Sequence, residues 1–253
     1  MTGVVRLASV DLSSYAVVSA VVADLLTRRG YHVDLTTGPH DQIYPRLGAG
    51  DFHLFAAAWL PAAHALFWRK YGRDLERWAA LYDGARFFLA LNRTMVPTVI
   101  CIDDLASHAG EIEPTIQALT PRAGLTRLTR AVVRVYRLDE AGMSVAVGGT
   151  ADWRRAIDRA LAGAPIALAL WTPLFTDALP FRPLLDPRHA FGSPDTAFLV
   201  AHRSAHDAID AGTMASLRDL RIGLETVSAM DRQVTLEGAA PEILARAFVA
   251  RMN

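Results

Sequence analysis

The sequence predicts an α/β protein built from two lobes, and three observations support this fold class. Short apolar strands alternate with helical segments from the first residues onward, as in a doubly wound parallel sheet. Two strands rich in Ala and Leu, DFHLFAAAWLP over 51–61 and APIALALWTP over 164–173, both end at a tryptophan followed closely by proline. The length of 253 residues, with 52% hydrophobic residues, allows one large domain or two lobes with substantial cores.

The first lobe opens with a β-α-β-α-β pattern. Val4–Val10 is a strand, and Ser13 or Ser14 is expected to cap the next helix, which ends before Gly30. The following elements are a strand at 31–35, a turn at 36–39, a short helix through Ile43 and Leu47, the strand that ends at Trp59, and a helical pattern over 62–81 broken near Gly72.

The strand RFFLALN over 86–92 is expected to cross into the second lobe. That lobe is predicted to contain a helix at 103–109, a strand at 115–119, a loop at 120–124, a helix at 125–136, a strand at 143–147, a helix at 151–161 and the Trp171 strand. The segment 173–194 returns the chain to a strand at 197–202, and helices follow around 207–209, 213–220, 223–233 and 241–251. The predicted lobes are therefore discontinuous: 1–86 with 181–253, and 87–180, with hinge segments near 87–91 and 173–180.

Composition and charge exclude several classes of function. Lys and Arg number 26 and so do Asp and Glu, so the net charge of zero does not support a nucleic-acid partner. Cys101 is the only cysteine, which excludes an intramolecular disulfide and a CxxC motif. No stretch approaches the roughly 20 apolar residues that span a bilayer, and the amino terminus lacks the pattern of a signal peptide. We therefore expect a cytosolic chain, or one from which a targeting segment has been removed.

No catalytic signature is present. The sequence has no GxSxG, no HExxH and no Walker loop. The pair Gly148-Gly149 favours a plain turn, and Asp103-Asp104 favours carboxylates at a helix start over a catalytic pair. His202 and His206 have i,i+4 spacing but lack a third metal ligand. The sequence therefore predicts no catalytic residue, no metal site and no cofactor.

The aromatic residues point to ligand binding instead. Trp59, Phe87 and Trp171 lie at or near the ends of predicted strands, where open α/β sheets bind their ligands. Aromatic faces attract a quaternary ammonium, at about 0.5–2 kcal/mol per cation–π contact. The loop TPRAG offers backbone N–H groups at a helix start, together with the Arg122 guanidinium, for an anionic group. Two ordinary core tryptophans and a surface arginine remain the alternative interpretation.

The ordered motifs resemble the substrate-binding proteins of glycine betaine, choline and proline betaine ABC transporters, the OpuAC-like family. The matching pieces cover nearly the whole chain: RRGYHVDL, LGAGDFHLFAAAWLP, ARFFLALN, the VP at 96–97, IDDLASHAGEI, TPRAGLTRL, ALWTP, LLDPRHAFG and PEILARAFVARM. This resemblance implies a type II periplasmic-binding-protein fold, with a small-molecule ligand held between two lobes and the closed form presented to an ABC transporter permease. It also implies a monomer that works outside the cytoplasmic membrane, in the periplasm or an equivalent compartment, with its signal segment absent from this chain.

The same resemblance implies the ligand-binding residues. Trp59 and Trp171 correspond to walls of an aromatic cage, and Phe87 to an aromatic position that is often Tyr in choline binders. The loop that grips the polar end of the ligand corresponds to 121–124. The predicted ligand contacts are Trp59, Trp171, Phe87, Leu12, Ser13, Ser14, Arg122, Ala123, Gly124 and Thr172.

Three positions depart from the pattern of these relatives. Leu12 stands where relatives commonly have a tryptophan, and Ser14 where choline binders have an acidic residue. Leu174 replaces the histidine of a W-x-P-H pattern. The first-choice function is therefore capture of a betaine-like quaternary ammonium or zwitterion. The alternatives are a cytosolic ligand sensor on the same fold with a different ligand, or an enzyme on this fold.

Overall fold

The computed structural model describes residues 3–252. Its strands are β1 (Val4–Val10), β2 (His32–Gly38), β3 (Leu54–Leu60), β4 (Leu75–Asn92), β5 (Thr115–Gln117), β6 (Ser144–Ala146), β7 (Leu168–Thr172), β8 (Phe181–Pro183) and β9 (Asp195–His202). Its helices are α1 (Ser13–Arg28), α2 (His40–Gly48), α3 (Ala65–Tyr71), α4 (Asp104–Ser107), α5 (Gly124–Val135), α6 (Thr150–Leu161), α7 (Ala205–Ala208), α8 (Ala211–Arg218), α9 (Leu224–Glu237) and α10 (Pro241–Ala250). The mixed α/β architecture agrees with the predicted fold class.

The chain divides into two compact units. Unit 1 comprises Met1–Ala85, Pro173–Phe175 and Asp195–Asn253, and unit 2 comprises Arg86–Thr172 and Thr176–Pro194. The sequence analysis assigned 181–194 to the first lobe, whereas the structure places this segment in unit 2. The reason is strand pairing, because β8 joins the second part of β4 through Ala90–Pro183 and its neighbours.

The sheet of unit 1 has the strand order β2-β1-β3-β9-β4. As predicted, β1 runs parallel to β2 and β3. In contrast, β9 is antiparallel to both β3 and β4, so the parallel opening continues into a mixed sheet. All seven residues of β3 are buried, which is what its Ala-rich composition indicated. Helix α1 packs against β1 and β3, and α9 and α10 pack against α1.

Three local predictions in unit 1 are wrong. The turn expected at 36–39 is largely strand, because β2 continues to Gly38 and stays paired with β1 over this length. Residues 75–81 were predicted to be helical but form the first part of β4, because their pairing with β9 overrides the helical preference of an Ala- and Leu-rich segment. Neither Ser13 nor Ser14 caps α1. The N-cap residue is Leu12, and both serines lie inside the first turn.

Unit 2 has its own sheet, formed by the second part of β4 together with β7, β5, β6 and β8. The pair β4–β7 is antiparallel from Arg86–Thr172 to Ala90–Leu168, whereas β5 is parallel to β6 and β7. The carboxyl end of β7 carries Trp171, and the loop after β5 leads into α5. Within residues 3–252, no helix combines the length and apolar character needed to cross a bilayer.

Candidate ligand-binding residues

Trp59 lies near the carboxyl end of β3, where two tyrosines of unit 1 hold its indole ring. The residue is 2% exposed, and its Nε1 donates a 3.0 Å hydrogen bond to the hydroxyl oxygen of Tyr82. The Tyr15 ring is nearly parallel to the indole, at 19° and 6.3 Å between centroids, and the Tyr82 ring is perpendicular to it. Trp59 is therefore one member of an aromatic group with a fixed orientation.

The backbone of Trp59 is held by His64. The Trp59 N–H donates to His64 Nδ1 at 3.0 Å, and the His64 N–H donates to the Trp59 carbonyl oxygen, also at 3.0 Å. The Tyr44 hydroxyl lies 3.0 Å from the same Nδ1. Because a backbone N–H can only donate, Nδ1 must be unprotonated, and His64 is a neutral imidazole with its proton on Nε2. This reciprocal pair fixes the end of β3 where the indole begins.

The three tyrosines of this region stay uncharged. Burial raises the pKa of Tyr15 and of Tyr44 well above the ordinary value of a phenol. Burial also raises the pKa of Tyr82, and the hydrogen bond from Trp59 only partly opposes this effect. Around Trp59, a cation would therefore meet the faces of neutral rings, which attract it through their quadrupoles.

The amino terminus of α1 carries the predicted contacts Leu12, Ser13 and Ser14. Leu12 is partly buried and packs against the core cluster that contains Tyr15. No side chain caps the first turn of α1, and the Ser14 Oγ atom is buried without a hydrogen-bond partner in the described part of the chain. Uncapped N–H groups at the positive end of a 16-residue helix suit an anionic group.

Trp171 belongs to unit 2, where it stacks on a second tryptophan. Its ring lies 4.8 Å from that of Trp153 in α6, with 24° between the planes. Trp153 is anchored by a 3.1 Å hydrogen bond from its Nε1 to the carbonyl oxygen of Ala169. Phe87 is the register partner of Trp171 on the adjacent strand and is partly buried. The structure therefore brings Phe87 and Trp171 side by side on paired strands.

The remaining predicted contacts lie at two other places in unit 2. Thr172 is 9% exposed, and its hydroxyl donates to Asp177 Oδ2 at 2.7 Å, so it already has an acceptor. Ala123 is the N-cap of α5 and Gly124 is the first residue of that helix; both are buried, and the side chain of Ala123 makes no capping hydrogen bond. Arg122 is exposed in the preceding loop. The start of α5 thus resembles the start of α1 in its uncapped N–H groups.

The sequence analysis missed three aromatic partners of the predicted walls and the histidine that holds one of them. Tyr82 follows the segment 62–81 that was predicted to be helical and was assigned to no element, so its place in a strand beside Trp59 was not predicted. Trp153 lies on the buried face of a correctly predicted helix, and its apolar spacing was the available signal. Among residues 3–252, no group of three or more His, Cys, Asp or Glu side chains is arranged to hold a metal ion.

Comparison with known proteins gives a consistent result. The family model OpuAC, described as the substrate binding domain of ABC-type glycine betaine transport system, matches residues 3–251. Lactococcal OpuAC in its closed-liganded conformation complexed with glycine betaine superimposes with a TM-score of 0.87 at 18% identity, over 99% of this chain and 96% of that chain. The glycine betaine, L-proline-binding protein ProX from Borrelia burgdorferi also gives 0.87, at 15% identity over 98% and 93%.

A choline binding protein of an ABC transporter in complex with choline gives a TM-score of 0.84, at 20% identity over 98% of this chain and 88% of that chain. At such identities these structures establish similarity of fold. A search of curated protein sequences found no match.

Proposed function

We propose a ligand and its contacts from the premise that the chain belongs to the OpuAC family, the substrate-binding domains of ABC-type glycine betaine transport systems. As a member of this family it is a substrate-binding protein of an ABC importer and not an enzyme. The family works with a membrane permease on the extracytoplasmic side, and the alternatives of a cytosolic sensor and of an enzyme are not favoured. The predicted fold class and class of function are thereby confirmed.

The ligand that we propose is a small zwitterion with a quaternary ammonium group and a carboxylate, such as glycine betaine. One observation carries this choice: each unit has a tryptophan at a strand end that is held by a second aromatic ring, Trp59 with Tyr15 and Trp171 with Trp153. Neutral aromatic faces bind a quaternary ammonium without a counter-ion. Phe87, beside Trp171, supplies a further face.

The carboxylate of the ligand has two sets of donors available. The first turn of α1 offers backbone N–H groups and the Ser14 hydroxyl, and the first turn of α5 offers N–H groups next to Arg122. A serine at position 14 also favours a betaine over choline, because the resemblance places an acidic residue here in choline binders. A neutral hydroxyl does not repel the carboxylate of a betaine.

We further propose that the protein is a monomer outside the cytoplasmic membrane and that it closes on its ligand by hinge motion near 87–91 and 173–180. The chain passes from unit 1 to unit 2 at Ala85–Arg86 and changes units again at Thr172–Pro173 and Phe175–Thr176, within or next to these segments; it returns to unit 1 at Pro194–Asp195. Sedimentation analysis tests the monomer, and small-angle X-ray scattering with and without ligand tests closure.

The test of this function is ligand binding by the intact protein. Glycine betaine, proline betaine, carnitine, choline and trimethylamine oxide are screened by thermal shift, because a ligand of the folded state raises its melting temperature. Affinities then follow from calorimetry. We expect glycine betaine to bind, and Trp59→Ala and Trp171→Ala each to weaken its binding by at least about tenfold through lost cation–π contacts. Unchanged affinity in both variants would exclude the aromatic cage.

A further inference from the structure

The indole N–H of Trp171 is a buried donor without an acceptor. Trp171 is 2% exposed, and its Nε1 atom has no hydrogen-bond partner among residues 3–252. Buried polar groups in folded proteins are nearly always paired, so an unpaired one indicates a missing partner. Because an indole nitrogen donates and never accepts, the missing partner must be an acceptor.

Two other tryptophans, Trp59 and Trp153, do not share this feature. Trp59 Nε1 donates to the Tyr82 hydroxyl at 3.0 Å, and Trp153 Nε1 donates to the carbonyl oxygen of Ala169 at 3.1 Å. Each of these bonds lies within one unit and needs no ligand. The two tryptophans proposed as cage walls therefore differ in one respect, since only Trp171 has a buried N–H that no residue of the described chain accepts.

We propose that Trp171 Nε1 donates a hydrogen bond to an oxygen of the ligand, which makes Trp171 the residue that selects a carboxylate-bearing zwitterion over a simple quaternary ammonium cation. This inference rests on the proposed function and adds to it, because a cage wall would otherwise contribute only its ring face. A ligand that enters the open protein and is enclosed on closure meets a donor already withdrawn from water. A charged acceptor then gains more than a neutral one.

Trp153 has a supporting part in this arrangement. Its ring is stacked on Trp171, and its own N–H is bound to the backbone of β7, the strand that carries Trp171. The stacked pair limits rotation of the Trp171 side chain. The donor is thereby held in one orientation before the ligand arrives, which lowers the cost of ordering it on binding.

Two matched variants test the inference in the full-length protein. Trp171→Phe keeps an aromatic face and removes the indole N–H. Trp59→Phe is the matched control, because it makes the same change at an indole N–H that already donates to the Tyr82 hydroxyl. The probes are glycine betaine and tetramethylammonium, which share a quaternary ammonium but differ in the carboxylate. The preference for glycine betaine, taken as the ratio of the two dissociation constants, should fall by about tenfold or more in Trp171→Phe and by less than about twofold in Trp59→Phe.

A measurement on the unmutated protein covers the case in which Trp171→Phe does not fold. In a ¹⁵N-labelled sample, the Trp171 indole N–H resonance should move farther with glycine betaine, which supplies an acceptor, than with tetramethylammonium, while that of Trp59 responds alike to both. A single-site Trp171→Tyr variant, or elimination using the other four tryptophans, assigns the resonance.

The outcomes separate this inference from the function on which it rests. If glycine betaine binds but Trp171→Phe weakens both probes equally, or if the Trp171 resonance responds alike to both, the N–H is not the selecting donor and the proposed function stands. If neither probe binds the unmutated protein, the proposed function itself fails, and the inference fails with it.

Discussion

At the scale of single residues, His64 links the fold of unit 1 to the placement of Trp59. Its Nδ1 accepts the Trp59 N–H, and its own N–H binds the Trp59 carbonyl oxygen. The ring also packs 4.4 Å from His40, between centroids, and 5.6 Å from Tyr44. A side chain that is 3% exposed and is bonded in this way orients the indole without needing to touch the ligand.

Replacement of this histidine should therefore affect both stability and binding. In His64→Ala the Trp59 N–H loses its acceptor while remaining buried, which should lower the free energy of unfolding by about 1–3 kcal/mol and weaken ligand binding. Urea denaturation and calorimetry provide the two measurements. Tyr44→Phe is the control, since it removes one contact to Nδ1 and leaves the Trp59 bond in place. If both variants showed equal losses of affinity, His64 would not act through Trp59.

The sequence pattern predicts the aromatic residues at the ends of strands. It does not predict the residues that matter because they contact these aromatic side chains in the folded protein. Trp59, Phe87 and Trp171 were found because aromatic residues at strand ends form a visible pattern. Tyr15, Tyr82 and His64 carry no such pattern, because their importance comes from hydrogen bonds and ring contacts made after folding. Whether the predicted contacts bind the ligand remains a prediction.

At the scale of elements, the connection after β3 depends on a carboxylate from another strand. Asp195, the first residue of β9, accepts hydrogen bonds from the backbone N–H groups of Ala62 (2.6 Å) and Ala63 (2.9 Å). It is 4% exposed. The turn that follows Trp59 is thus fixed to the neighbouring strand by a buried charged acceptor.

Two substitutions of Asp195 should show how much its hydrogen bonds contribute to the free energy of unfolding. Asp195→Ala leaves two N–H groups without their acceptor and should lower the free energy of unfolding by about 3 kcal/mol. Asp195→Asn keeps one oxygen acceptor and should cause roughly half that loss. Chemical denaturation of the two variants gives both values. A loss of less than about 1 kcal/mol in the alanine variant would show that the turn is held by other contacts.

Pairing between strands explains why β4 was only partly predicted. Residues 86–92 contain five consecutive aromatic or aliphatic residues, so their strand was evident from sequence. Residues 75–81 contain Ala, Leu and Glu at helix-compatible spacing, and only pairing with β9 makes them extended. The partner strand lies more than a hundred residues away in sequence, which no local pattern reveals.

At the scale of the whole molecule, the response to acid should follow from histidines held neutral in unit 1. Burial lowers the pKa of His40 from 6.5 to about 4, although Asp41 partly opposes this effect. Burial also lowers the pKa of His53, with Arg6 adding to the effect. It lowers the pKa of His202 as well, where Asp74 partly opposes the effect and Arg203 adds to it. The unfolded chain therefore binds more protons than the folded one at mildly acidic pH.

Stability should accordingly be complete above about pH 6.5 and decline as the pH falls towards about 4. For His40 alone, the expected loss between about pH 7 and about pH 5 is about 2 kcal/mol. Urea denaturation across this range measures the slope, and His40→Phe should make it shallower because it removes one of the groups that take up a proton on unfolding. Identical slopes in the two proteins would contradict this account of His40.

The position of unit 2 within the chain affects how the protein can change in evolution. In β4 and β9, Ala85 and Asp195 are directly opposite one another. Apart from Pro173–Phe175, everything between them belongs to unit 2. Unit 2 is therefore an insertion between two paired strands of unit 1, and a different insert would have to match two adjacent chain ends and also replace the Pro173–Phe175 segment of unit 1. Such a junction allows one half of a ligand-binding protein to diversify while the sheet of the other half keeps its strand order.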